Sequence, residues 1–162
     1  MSRFQWFIVL LCLVLLTNCT TRDGECHEEM KTALGCELYA TSYDPIEEIY
    51  RPASATMNAT AYGIGTDSLL YDNTSVNKLS LPLNAFDTIS QFVVCCDSLA
   101  NDTLAFYYTV RNNVISLECG CKPEFIIRYF SHTTHAIDSV IQLSDEVIDL
   151  NTSQIRIYFS PR

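Results

Sequence analysis

The side chains in this sequence best suited to covalent or metal chemistry are six cysteines, Cys26, Cys36, Cys95, Cys96, Cys119 and Cys121, and two histidines, His132 and His135. An even number of cysteines in an exported domain predicts a disulfide framework. Cys95 and Cys96 are neighbours on an expected strand, so they point to opposite faces and take different partners. Cys119 and Cys121 share a face, where a bridge between them is poorly disposed. The favoured pairing is therefore Cys26 with Cys36, and the 95/96 pair with the 119/121 pair. The competing chemistry is a Cys2His2 metal centre or a thiol-redox site, drawing on Cys119-Gly120-Cys121 and His132-Thr133-Thr134-His135. The one-residue gap between the thiols is short for zinc, and redox pairs usually stand at a helix start. Glu118 and Glu124 flank the Cys-Gly-Cys turn, where neighbouring acids of an acidic chain read as a solvated face. The sequence holds no glycine-rich phosphate loop, serine elbow or paired-histidine helix motif. No catalytic residue, metal ligand or cofactor is assigned, and the protein is expected not to be an enzyme.

What positions these groups begins with export. Arg3 and the ten-residue apolar run from Phe7 to Leu16 read as a signal peptide. As a helix that run reaches only about 15 Å, half the hydrocarbon thickness. Leu16-Thr17-Asn18-Cys19 resembles a lipobox, with Cys19 as the lipidated residue. Asn18 departs from the usual small residue at that place. The expected organisation is a signal peptide at 1–18, a lipidated tether at 19–33 and a single domain at 34–162. Removing 18 of the 162 residues leaves 144 and takes one base, so the net charge moves from −9 to −10. That balance excludes ordinary nucleic-acid binding, which needs a basic face. Trp6 is the only tryptophan and leaves with the leader, so a sugar platform would have to be built on tyrosine.

Beyond the tether, period-two alternation is common and helical periodicity is confined to a short turn at 25–34. Leu104, Phe106, Tyr108 and Val110 share one face, and Ile155, Ile157 and Phe159 another. Arg111-Asn112-Asn113 reads as the turn of a hairpin spanning 103–119. Further strands are expected at 36–43, 56–64, 67–71, 76–83, 89–96, 124–131 and 137–143, with Pro82 marking a strand end or edge. The fold expected is an all-β, antiparallel β-sandwich, immunoglobulin-like, of about eight to ten short strands and stapled by disulfides.

Five triplets read Asp, then Ser or Thr, then an aliphatic residue. They resemble the O-glycosylation motif of exported Bacteroidetes proteins and offer Ser68, Thr88, Ser98, Thr103 and Ser139 as acceptors. Asn58, Asn73, Asn101 and Asn151 begin Asn-x-Ser/Thr triplets, which in a bacterial envelope read as turn and strand composition. The lipobox, Leu81-Pro82-Leu83-Asn84, the stretch Asp102 to Tyr108, Glu118-Cys119-Gly120-Cys121 and a closing pair of strands from Ile137 to Phe159 occur in that order. Together they resemble a domain-of-unknown-function family of short Bacteroidetes envelope lipoproteins. The resemblance implies an all-β lipoprotein and carries no catalytic residue across. The function expected is a non-catalytic structural or interaction module. It is held on the outer membrane through lipidated Cys19, facing periplasm or cell surface, with an envelope protein as partner. A glycan-binding surface lipoprotein is the alternative, since nine tyrosines could furnish a contact surface.

Overall fold

Alternating apolar residues can bury one side of an extended chain only against a second sheet, and most of the eleven strands among the described residues do so here. The computed structural model describes residues 26, 28–44, 46–66 and 68–159. In chain order the strands are β1 (Leu34–Asp44), β2 (Ile49–Ser54), β3 (Met57–Gly63), β4 (Leu69–Val76), β5 (Lys78–Leu81) and β6 (Ile89–Cys96). They continue with β7 (Asp102–Ser116), β8 (Gly120–His132), β9 (Ile137–Gln142), β10 (Glu146–Val147) and β11 (Ile155–Phe159), and no helix forms among the described residues. One sheet runs β10-β8-β7-β6-β3-β4. The other runs β2-β1-β11-β9, with β5 also paired to β1. β5 lies along Leu34–Glu37 and β2 along Tyr39–Asp44, sharing one edge of β1. The opposite edge of β1 pairs in parallel with β11, Cys36 against Ile155 through Ala40 against Phe159.

The inward residues of both sheets form one core. Leu34, Leu38, Leu79, Leu81, Ile155 and Ile157 of the first sheet face Phe92, Leu104, Phe106, Tyr108, Phe125 and Ile127 of the second, all essentially inaccessible. Each such side chain contributes about 1.5–3 kcal/mol relative to exposure. Tyr108 and Phe125 meet edge to face at 5.2 Å between centroids.

The all-β sandwich matches the expectation, with three differences of detail. The strands among the described residues number eleven, and β7 and β8 run 15 and 13 residues rather than being short. The β1–β11 pair makes one sheet mixed. The hairpin turn lies not at Arg111-Asn112-Asn113 but between Ser116 and Gly120, with Gly120 at φ +75°. Glu124 is the reason. It sits buried opposite Arg111, accepting from Arg111 Nε (3.0 Å) and Nη2 (2.6 Å), while its other oxygen accepts from Asn113 Nδ2 (2.9 Å). Those bonds hold residues 111–113 in the ladder. Pro82 follows the end of β5, as its missing N–H requires. The described part of 25–34 holds no helical turn.

The disulfide also differs from the favoured pairing: Cys26 is bonded to Cys119, with Cα atoms 4.9 Å apart. Cys36 points inward from β1 and is buried in the core, away from the preceding segment. The 95/96 pair cannot meet 119/121, because β6 registers with the start of β7, Val94 against Asp102. Cys119 lies past its far end, and 15 residues of strand span roughly 50 Å. Cys96 is buried and Cys95 stands on the other face, as neighbours on a strand must. The bridge fastens Cys26, just before β1, to the tip of the β7–β8 hairpin.

Candidate functional site

Among the described residues, one buried carboxylate gathers five polar contacts, a role that the sequence did not distinguish. Asp102 opens β7 and is 1 % exposed. Its Oδ1 accepts from Thr133 Oγ1 (2.6 Å) and the His135 N–H (2.8 Å), and lies 3.1 Å from His135 Nδ1. Its Oδ2 accepts from the N–H groups of Ala136 (2.7 Å) and Ile137 (2.8 Å). Burial pushes this carboxyl up, but the bonds from Thr133, His135, Ile137 and Ala136 outweigh it and hold the group at about 2. Thr133 and His135 both turn to the carboxylate rather than to each other, so no nucleophile–base pair results. Asp102 fixes residues 133–136, which carry the chain from β8 in one sheet to β9 in the other. Backbone amides of a connecting segment leave no signature in a sequence.

The competing Cys2His2 set is not assembled among the described residues. Cys119 is in the disulfide, His135 is engaged by Asp102, and Cys121 and His132 stand eleven residues apart on β8, roughly 35 Å of strand. Cys121 is exposed, and Cys95 donates to the Leu99 carbonyl at 3.0 Å. Burial raises the Cys36 thiol far above its ordinary value, which keeps it protonated and unreactive. Glu118 and Glu124 do not converge as a catalytic pair. Glu124 is tied to Arg111, whose bond holds its carboxyl below the usual range, and the Glu118 N–H donates to Ser116 Oγ in the turn. Of the glycosylation candidates, Ser68, Thr88 and Ser98 are exposed, while Thr103 and Ser139 are half-buried. Asp102, the first residue of the Thr103 triplet, is consumed by the β8–β9 connection. Asp67 and Cys19 lie outside the described residues.

The outer face of the six-stranded sheet offers a different kind of site. Register places Tyr129, Tyr107 and Ile89 in one row, then Ser131, Ala105 and Gln91, then Thr103, Val93, Tyr62 and Leu69. Ile64 extends the middle row through its N–H to the Gln91 carbonyl (2.8 Å). These eleven positions span β8, β7, β6, β3 and β4 without one charged side chain, on a protein of net charge −9. Tyr62, Tyr107 and Tyr129 are 39 %, 40 % and 60 % exposed, and the last two rings meet at a tilt of 43° with centroids 5.5 Å apart. Alternation explains the face: the inward neighbours Phe106 and Tyr108 are in the core, so Tyr107 must be outside.

At one margin the face falls into a cleft of about 440 Å³ between the β3–β4 loop and the β5–β6 connection. Ile64, Ile89 and Gln91 belong to both. The Tyr108 hydroxyl reaches up from the core to brace this wall. It donates to the Asn84 carbonyl (2.9 Å), accepts from the Asn84 N–H (3.0 Å) and bonds Ser90 Oγ at 2.7 Å.

Residues 58–159, from β3 to β11, match a family of unknown function, DUF6452. No curated protein and no solved structure matches the chain.

Proposed function

The chain belongs to the DUF6452 family, and from that premise we propose that it is a non-catalytic contact module of the cell envelope, anchored to the outer membrane by lipid on Cys19. The observation that carries the contact role is the uncharged tyrosine face of the six-stranded sheet. Exposed apolar area of this kind on an otherwise charged surface marks an interaction site, and tyrosine gives contact area at small entropic cost. The anchor rests on the leader and lipobox sequence, and the domain presents its face to the periplasm or the cell surface.

Two measurements test the reading. Cys19→Ala should move the protein from the membrane to the soluble fraction, and retention on the membrane would refute the anchor. Affinity capture from solubilised envelope should retain a reproducible partner that Tyr107→Ala with Tyr129→Ala loses. Capture indifferent to both substitutions would refute the contact face.

A further inference from the structure

We propose that the cleft at the margin of the tyrosine face binds a neutral saccharide, with the tyrosines supporting further rings of the same glycan. The proposal rests on reading that face as a contact surface and names the chemistry of what it contacts. The volume, about 440 Å³, falls in the range of small-ligand sites, roughly 300–1,000 Å³. No arginine, lysine or histidine lines the cleft, whereas Asp87 does, so an anionic ligand would be repelled without compensation.

The polar groups of the cleft are uncharged apart from Asp87, directional and partly uncommitted. Asn84 Oδ1 accepts from the Phe86 N–H (3.0 Å), and Asp87 Oδ1 accepts from the Thr88 N–H (2.7 Å). That leaves the Asn84 amide hydrogens, the second Asp87 oxygen and the Gln91 carboxamide without a partner among the described residues. A sugar hydroxyl both donates and accepts, so a carboxylate beside carboxamides complements a vicinal diol. The Asn84 N–H donating to Ser90 Oγ and Tyr108 Oη, and the Tyr108 hydroxyl donating to the Asn84 carbonyl, hold the wall in place before a ligand arrives, which reduces the ordering cost of binding.

Apolar surface completes the match. Ile64, Leu70 and Ile89 line the cleft with accessible apolar surface that suits the C–H faces of a pyranose, above the buried Leu83 and Phe92. Phe86 stands between Asn84 and Asp87 on the same connection, 100 % exposed, an arrangement that no packing requirement explains. Tyr107 is the cross-strand neighbour of Ile89, so the aromatic face continues directly from the cleft.

The test is an array of neutral and acidic oligosaccharides probed with the purified protein, followed by titration of the best-retained sugar. Expected is retention of a neutral oligosaccharide, weakened at least tenfold by Asp87→Ala and by Gln91→Ala, and severalfold by Phe86→Ala. Gln91 is exposed on its strand, and an unchanged melting temperature for its variant separates lost contact from lost fold. A blank array, preference for acidic sugars, or affinity unmoved by Asp87→Ala and Gln91→Ala would overturn the proposal. A blank array alongside tyrosine-dependent capture of an envelope protein overturns the saccharide and leaves the contact face standing. Tyrosine variants that alter neither readout overturn the contact face, and Asp87→Ala and Gln91→Ala then decide the cleft by themselves.

Discussion

Asp102 shows how much one carboxylate can settle. Its folded value, about 2, lies below the ordinary 3.8, so the contribution is complete above pH 4 and lost as pH falls toward 2. The difference corresponds to about 2 kcal/mol. Urea unfolding should therefore find Asp102→Asn destabilised at pH 7, with the gap to the parent closing between pH 4 and pH 2. A gap independent of pH would contradict the assignment. Gly35 makes a steric prediction. A Cβ there would lie 2.3 Å from the Thr152 carbonyl oxygen, a backbone atom that cannot swing away. Gly35→Ala should cost several kcal/mol, read as a large drop in melting temperature. Neither role was legible in the sequence. Asp102 stands in an Asp-Thr-Leu triplet that resembles a modification motif, and three of its five contacts are with main-chain groups more than thirty residues away. The cysteines were visible but their pairing was not, because Cys26 and Cys119 are 93 residues apart and only the β6–β7–β8 register tells which ends meet.

Strands were readable where one side is buried and the other is not. β3, β6 and β11 alternate cleanly between core and surface, and each fell within an expected segment. β2 leaves no signal in the sequence, because every residue in it is exposed and Pro52 lies within it, so it has no alternation to read. The displaced hairpin turn is the instructive case. Asn112 and Asn113 have turn chemistry, yet β8 runs opposite them through Lys122 and Pro123 and holds them extended. Asn112→Thr should then change stability by no more than about 0.5 kcal/mol, since the position is an exposed strand site. A loss well beyond that would restore the turn. Gly120→Ala, at φ +75°, should cost about 1 kcal/mol, because the real turn needs a left-handed residue there.

For the molecule as a whole, the Cys26–Cys119 bridge closes a loop of 93 residues around much of both sheets. Reduction, or Cys26→Ser with Cys119→Ser, should lower unfolding free energy by about 2–4 kcal/mol, and peptide mapping without reductant should recover the 26–119 cross-link. An unchanged denaturation midpoint would show that the sheets hold without it. The parallel pairing of β1 with β11 has a further consequence, which concerns time. Gly35 and Gln154, bonded to each other at the start of that pair, are 119 residues apart. A chain made from its N-terminus delivers β1 long before β11. One edge of β1 must therefore stay open until β11 has been made. Contacts so distant in sequence make folding slow. Closure of the five-stranded sheet is thus among the late events in the folding of this domain.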